Sequence, residues 1–187
     1  MNNHGDELAR FARAALVEEL GGPKATRPDE PWAQEPCGTF VTLRWTDGRL
    51  QGCIGNLEPR RGIAEEVAHN SVAAGTLDPR ATRIRLDDVD SLDVELSILS
   101  PLEKIEASSE AEARAQIEKG VHGVVFAHGS RRSTFLPVMW ERFESMDTFM
   151  RELKEKAGYP PDFWDEKCRL YRYTADKHVD PARRRLS

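Results

Sequence analysis

The sequence predicts an α+β fold: a mostly antiparallel sheet flanked by helices, with a smaller second lobe. Three observations carry this. Asp47-Gly48 separates two strand-like runs, Phe40–Trp45 and Leu50–Ile54, and such a turn needs the positive φ that glycine supplies cheaply. A second pair, Val121–Ala127 and Arg132–Leu136, brackets His128-Gly129-Ser130 as a further hairpin. Helical patterns lie singly between these strand pairs, which favours α+β. The 187 residues suffice for one sizeable core, or for a main domain with a smaller lobe. We expect a single domain over residues 6–175, a smaller lobe at about residues 60–95, and a flexible tail over 176–187.

The elements follow from local pattern. Leu8, Phe11, Ala12, Ala15, Leu16 and Leu20 recur at three- and four-residue steps, so Asp6–Leu20 reads as an amphipathic helix, with Asp6 as its cap and Gly21-Gly22-Pro23 as its end. The proline-rich segment Lys24–Pro36 reads as a surface connection. Across a two-residue turn at Asp47-Gly48, Trp45 faces Leu50, Leu43 faces Gly52 and Thr42 faces Cys53. Val41, Leu43, Trp45, Leu50 and Ile54 then share the core face. Phe40, Thr42, Arg44, Gln51 and Cys53 share the other, with Arg44 opposite Gln51. A one-residue slip would reverse the assignment.

Gly62–Ala74 reads as a helix with Ile63, Val67 and Ala74 inward and His69 on its surface; Asp78-Pro79-Arg80 follows as a break. Leu92–Leu99 alternates as a strand and stops at Ser100-Pro101. Ser109 and Glu112 form a capping-box pattern before Ala113–Lys119, which Gly120 ends. Val121–Ala127 is apolar on both faces and reads as a central strand. Ser145–Ala157 is a helix, Cys168–Ala175 a strand, and Trp140, Phe149 and Trp164 core.

Composition excludes several classes. The net charge is −5 with Lys and Arg scattered, so no basic footprint points to nucleic acid. Arg183-Arg184-Arg185 is a short basic end that reads as a solvated terminus. No apolar run approaches the ~20 residues of a membrane span, and Met1–Asp6 lacks the regions of a signal peptide. Three widely spaced cysteines without Cys-x-x-Cys suit free thiols in a cytoplasmic protein.

Cys53, between Gly52 and Gly55 in Leu50-Gln51-Gly52-Cys53-Ile54-Gly55, is the leading chemical candidate. As packing it would be a small apolar filler. As a functional group it would be a thiol beside a cation, able to act as nucleophile, ligand or redox group, with the glycines letting a ligand reach the backbone. His69 and His122 are the candidate bases; either also suits a structural histidine. Asp78 and Arg80 form a loop pair, either a turn held by Asp-to-backbone bonds or an anion grip. Cys37, Cys53, His69 and His122 show no metal-ligand spacing, and no phosphate-loop, Rossmann or nucleophile-elbow pattern occurs, so neither metal nor cofactor is expected.

Pro36–Leu43 and Leu50–Gly55, followed in order by Asp78-Pro79-Arg80, Val94–Pro101, Gly120-Val121-His122-Gly123, Thr134–Pro137 and Lys156–Trp164, resemble the AMMECR domain, called AmmeMemoRadiSam system protein A in bacteria and archaea. The resemblance covers about residues 6–175. It implies an α+β fold with a larger antiparallel-sheet lobe, a smaller lobe and a cleft near Cys53. It also implies association with a Memo-type protein, similar to class III extradiol dioxygenases, and with a radical S-adenosylmethionine enzyme. The chain departs from the family pattern at Gln51, where arginine is usual, at Ala81, where an aromatic is usual, and at Val138, where glutamine is common. The loss of a cation beside Cys53 bears on anion binding, and Arg44 is the substitute the assumed register offers.

Two functions follow. In one, Cys53 is a nucleophile or covalent carrier, with His122 or His69 as base. Arg44 or Arg80 then holds a small anionic substrate, with Gln51, Gly52, Gly55 and Asp78 around it. In the other, the chain is a non-catalytic module that docks a partner at Gly52–Gly55.

Overall fold

The computed structural model describes residues 4–184. The described residues form two compact units, 4–99 with 176–184, and 100–175. The smaller lobe expected at about 60–95 is therefore placed differently: those residues belong to the first unit, where their helix is buried.

In the first unit, α1 (Gly5–Glu19) and α2 (Ile63–Thr76) pack on a four-stranded antiparallel sheet of order β2-β1-β3-β8. The strands are β1 (Thr39–Trp45), β2 (Leu50–Asn56), β3 (Leu92–Leu99) and β8 (Ala175–Asp180). Alternation explains the sheet. Val41, Leu43 and Trp45 with Val94, Leu96 and Ile98 fill the covered face against Leu8, Phe11, Leu16, Val67 and Ala74. Asp6 lies inside α1 rather than capping it, because the helix starts one residue earlier; its carboxylate meets His178 Nδ1 at 2.8 Å. Gly21, at φ +88°, ends the helix region as expected. The helix predicted to stop at Ala74 runs on to Thr76, and Gly75 within it leaves room for Leu16, whose Cδ1 would lie 2.7 Å from an added Cβ.

The tail expected to be flexible is built into this sheet through residue 180. Arg13, almost fully buried on α1, holds it: Nε donates to the Asp180 carboxylate, Nη2 to the Asp180 carbonyl at 2.8 Å and to Leu92 O at 2.9 Å, and Nη1 to Val89 O at 2.7 Å. The amides of Arg183 and Arg184 then donate to Asp90 O. Arg185, and Met1–Asn3 at the other end, lie outside the described residues.

The second unit has its own antiparallel sheet, order β4-β7-β5-β6, from β4 (Glu103–Ile105), β5 (Gly123–His128), β6 (Arg131–Phe135) and β7 (Arg169–Tyr173). β5 is an interior strand, as its two apolar faces predict. The short helix α3 (Glu110–Arg114) is capped by Ser109, whose Oγ accepts from Glu112 N at 3.2 Å. The reciprocal half of the capping box is diverted, since Glu112 binds Ser108 instead. Helix α4 (Met146–Lys156) is capped by Ser145 and covers a core in which the Trp140 and Phe149 rings stack at 3.6 Å.

Candidate functional site

Cys53 sits on β2, the edge strand of the first sheet, opposite Thr42. The route to that pairing differs from the expected one. The hairpin loop has three residues, because Trp45 N donates to Arg49 O and Gly48, at φ +89°, closes it. Arg44 therefore faces Leu50, not Gln51. Gln51 is an extra, unpaired residue before Leu43 meets Gly52, that is, a β-bulge. The two one-residue shifts cancel, so Thr42 meets Cys53 after all.

The bulge also exchanges two side chains between faces. Leu50 joins Arg44 on the non-core side, and Gln51 turns inward and is buried. Its Oε1 accepts from Trp45 Nε1 and from Thr82 Oγ1, both at 3.1 Å. Its Nε2 donates to Thr82 O at 2.6 Å and Gly75 O at 3.4 Å. Gln51 is thus not a neighbour of Arg44, and Arg44 is not its substitute. Arg44 reaches Glu95 at 3.6 Å and donates to Gly48 O at 3.1 Å.

Around Cys53 the geometry is specific. Thr42 Oγ1 donates to Sγ at 3.1 Å. The Cys53 amide points off the sheet edge, where an N–H would otherwise be unpaired, and donates to Asp78 Oδ2 at 2.9 Å. Asp78 Oδ1 accepts from the Arg80 backbone at 2.9 Å and from Nε at 3.0 Å, while Oδ2 accepts from Arg80 Nη2 at 2.7 Å. The Asp78-Pro79-Arg80 turn is therefore held by Asp-to-backbone bonds and also presents a cation.

Asp78 is buried, yet its carboxyl stays well below the usual carboxylate range, chiefly through the Arg80 side chain, which with the Cys53 and Arg80 amides outweighs desolvation. Arg80 is pushed above its ordinary value, first by Asp78 and, more weakly, by the charge of Cys53 as a thiolate. Its side chain stays 60% exposed. The other two thiols differ. Burial is the largest cause that raises both Cys37 and Cys168, and Cys37 is turned toward Leu99 O at 3.4 Å.

The flanking glycines do not open the backbone. A Cβ on Gly52 would lie 2.1 Å from Ala74 O of α2, and one on Gly55 would lie 2.4 Å from the Phe40 ring. Both are needed for packing.

Of the two candidate bases, His69 is the one on the same unit as Cys53, and it is not beside it. His69 lies on α2, over the opposite sheet face, and lines a groove of about 840 Å³ with Phe11, Ala15, Glu18, Lys24 and Glu65. His122 belongs to the second unit, where its Nδ1 accepts from Glu118 N at 2.9 Å. Among the described residues, no group of three or more His, Cys, Asp or Glu could hold a metal, and no helix is long and apolar enough to cross a membrane.

One constellation is absent from the sequence-based set. In the second unit, His128 places Nδ1 2.8 Å from Tyr159 Oη and Nε2 2.9 Å from Asp165 Oδ2. The Tyr159 hydroxyl also donates to His128 O at 3.2 Å, and Asp165 Oδ1 receives the amides of Lys167 and Cys168. The rings of Tyr159 and Phe163 stack at 4.5 Å, and both meet His128 edge-on. The arrangement ties the β5–β6 turn to the 159–168 loop. The signal for it, a histidine at the first position of a hairpin turn, is indistinguishable from ordinary turn chemistry.

Two mixed units, each an antiparallel four-stranded sheet with its own helices, and a strand Leu50–Gly55 held by an Asp-Pro-Arg turn define the class. The chain belongs to the AMMECR1 family, whose model matches residues 9–178. It is 36% identical over 178 residues to a protein of Methanothermobacter thermautotrophicus, covering 92% of each chain. It is 34% identical over 183 residues to protein MJ0810 of Methanocaldococcus jannaschii, covering 95% of this chain and 91% of that one. The crystal structure of the uncharacterised protein PH0010 from Pyrococcus horikoshii superposes with a TM-score of 0.86 at 32% identity, covering 100% of this chain and 96% of that one.

Proposed function

We propose that this AMMECR1-family chain is a thiol-dependent enzyme component centred on Cys53. The observation that supports it is the pair of restraints on that residue: a hydroxyl donated to Sγ by Thr42, and an amide fixed to the carboxylate that holds Arg80. The donated hydroxyl orients Sγ, and Arg80, held by the carboxylate that binds the Cys53 amide, brings a cation to the same edge of the sheet, the setting in which a cysteine nucleophile would work. Arg80, partly paired and largely exposed, is the group to receive a small anionic substrate. Among the described residues no imidazole or carboxylate is hydrogen-bonded to Sγ. The thiol proton therefore passes to solvent or to a group a partner brings. That need fits a multi-protein system with a Memo-type protein and a radical S-adenosylmethionine enzyme. Brief iodoacetamide treatment at pH 7, read by peptide mapping, is expected to label Cys53 well before Cys37 and Cys168, and Thr42→Val to slow it. Equal labelling of all three thiols would overturn the reading.

A second reading, a non-catalytic docking module, is favoured by one observation: Gly52 and Gly55 are accounted for by packing alone. Capture of a Memo-type partner that survives Cys53→Ser, with Cys53 no more reactive than its fellows, would establish it.

A further inference from the structure

We infer that Gln51 is a positioning residue: its buried amide fixes the loop that sets the Arg80 guanidinium beside Cys53. This rests on the reading of Cys53 as a reactive thiol under the influence of Arg80, and it assigns the buried amide a part in that site.

The argument starts from the bulge. Without the extra residue, alternation would send the Gln51 side chain to the Arg44 face. With it, the amide enters the space between β2 and the end of α2, where water is excluded and Gln51 is 1% exposed. There it meets two donors, Trp45 Nε1 and Thr82 Oγ1, and two acceptors, Thr82 O and Gly75 O. An amide offers one acceptor oxygen and one donor NH₂, so it satisfies both kinds of partner at once. A carboxylate would face the two carbonyls with lone pairs, and an aliphatic side chain would leave all four partners unpaired.

The consequence lies in the loop between the anchors. Residues 78–82 are tied to the edge strand at two places, by Asp78 at the Cys53 amide and by Thr82 at Gln51. Arg80 is midway. Its side chain is 60% exposed, and among the described residues its hydrogen bonds are to Asp78. Of the two anchors, Asp78 orients the guanidinium locally, and Gln51 fixes where the loop returns. Removing the second anchor frees Thr82 and the return of the loop, and leaves the place of the Arg80 guanidinium to its bonds with Asp78 alone.

The test compares two reagents on the full chain. Iodoacetate is anionic and iodoacetamide neutral, so the ratio of their rates at Cys53 reports the positive field at Sγ, and equal changes in access cancel. Arg80→Gln is expected to lower the ratio several-fold. Gln51→Met is expected to lower it part of the way, since Asp78 still holds Arg80, and to add nothing in the double variant, because both changes act through the same cation. Thr82→Val, which deletes a single partner, is expected to fall between, and it decides the question where Gln51→Met does not fold. If Arg80→Gln lowers the ratio but Gln51→Met and Thr82→Val leave it at the wild-type value, the positioning role is wrong. If Arg80→Gln itself leaves the ratio unchanged, the reading of Arg80 at the thiol fails, and this inference fails with it.

Discussion

In the first unit the covered sheet face is aliphatic, and the residues that complicate it are polar and buried: Arg13, Gln51, Glu66, Asn70 and Asp78. In the second unit the buried mass is aromatic, with Trp140, Phe149, Phe135 and Phe143 in mutual ring contact. Both sheets have four strands. Stacked rings add area and dispersion, and they tolerate small shifts. A buried amide or carboxylate is satisfied only in one geometry, and it is costly in any other. The first unit therefore holds a strand and a loop in fixed register around one thiol, while the second spends its interior on cohesion. It too holds polar clusters: His128 with Tyr159 and Asp165 at a turn, and the buried Lys154 paired with Glu110 at 3.0 Å.

The largest expected effect tests the aromatic half of that contrast. Trp140→Ala removes a ring stacked on Phe149 and the bond from Nε1 to His122 O at 2.7 Å. We expect a loss of about 3–5 kcal/mol in urea unfolding, with the near-ultraviolet dichroism of the ring pair gone. A loss under about 1.5 kcal/mol, the range of a tolerated volume change, would mean that the stack is not what holds this core together.

Next comes the polar half. Asp78→Ala leaves the Cys53 amide without its acceptor and Arg80 without its carboxylate, and about 1–3 kcal/mol should be lost near neutral pH. The effect has a sign with pH. The folded carboxyl is held below its ordinary value by Arg80, so its contribution is present in full above about pH 4 and is lost as pH falls through the folded value. The gap between Asp78→Ala and the parent should therefore hold from pH 6 to about 4 and narrow as pH falls further below that. A gap that stays constant would show that the loop is held by shape rather than by charge.

The same contrast marks what a sequence can disclose. Alternation and the Asp47-Gly48 turn sufficed to place Thr42 against Cys53, yet the turn length assumed was one residue short. The agreement came from a bulge at Gln51 that cancels the error. Nothing in Leu50-Gln51-Gly52 marks a bulge, because its cause is the amide's four distant partners. Asp78 was legible as a turn residue but not as the acceptor for an edge-strand amide, which requires knowing that β2 is an edge. The glycines signalled close approach, but α2 and Phe40 make it, not a ligand. The division into units was hidden because Ser100-Pro101 reads only as a strand end, and the return of β8 to β3 is a pairing between strands that the whole second unit separates in sequence.

The smallest effect concerns a polar group inside the second unit, where the contrast is least sharp. Tyr173 is 2% exposed; its hydroxyl donates to Phe135 O at 3.2 Å and lies 2.8 Å from Thr134 Oγ1. Burial pushes its ionisation up to about 12, and the Thr134 bond only partly offsets this. For an acid whose folded value is raised, stability is full below the ordinary value near pH 10 and declines as pH rises toward the folded one, since the unfolded chain ionises first. Absorbance at alkaline pH should show one of the three tyrosines titrating late, in step with a stability loss that Tyr173→Phe removes. Near neutral pH the same substitution should cost only about 1 kcal/mol, because Thr134 Oγ1 keeps its bond to Val124 O. A much larger cost would mean that this hydroxyl is a geometric brace of the kind Gln51 provides, and that the second unit also depends on directed polar contacts. A small cost with a late titration would leave the contrast as drawn, with the Gln51 and Asp78 bonds as the ones that fix an edge strand.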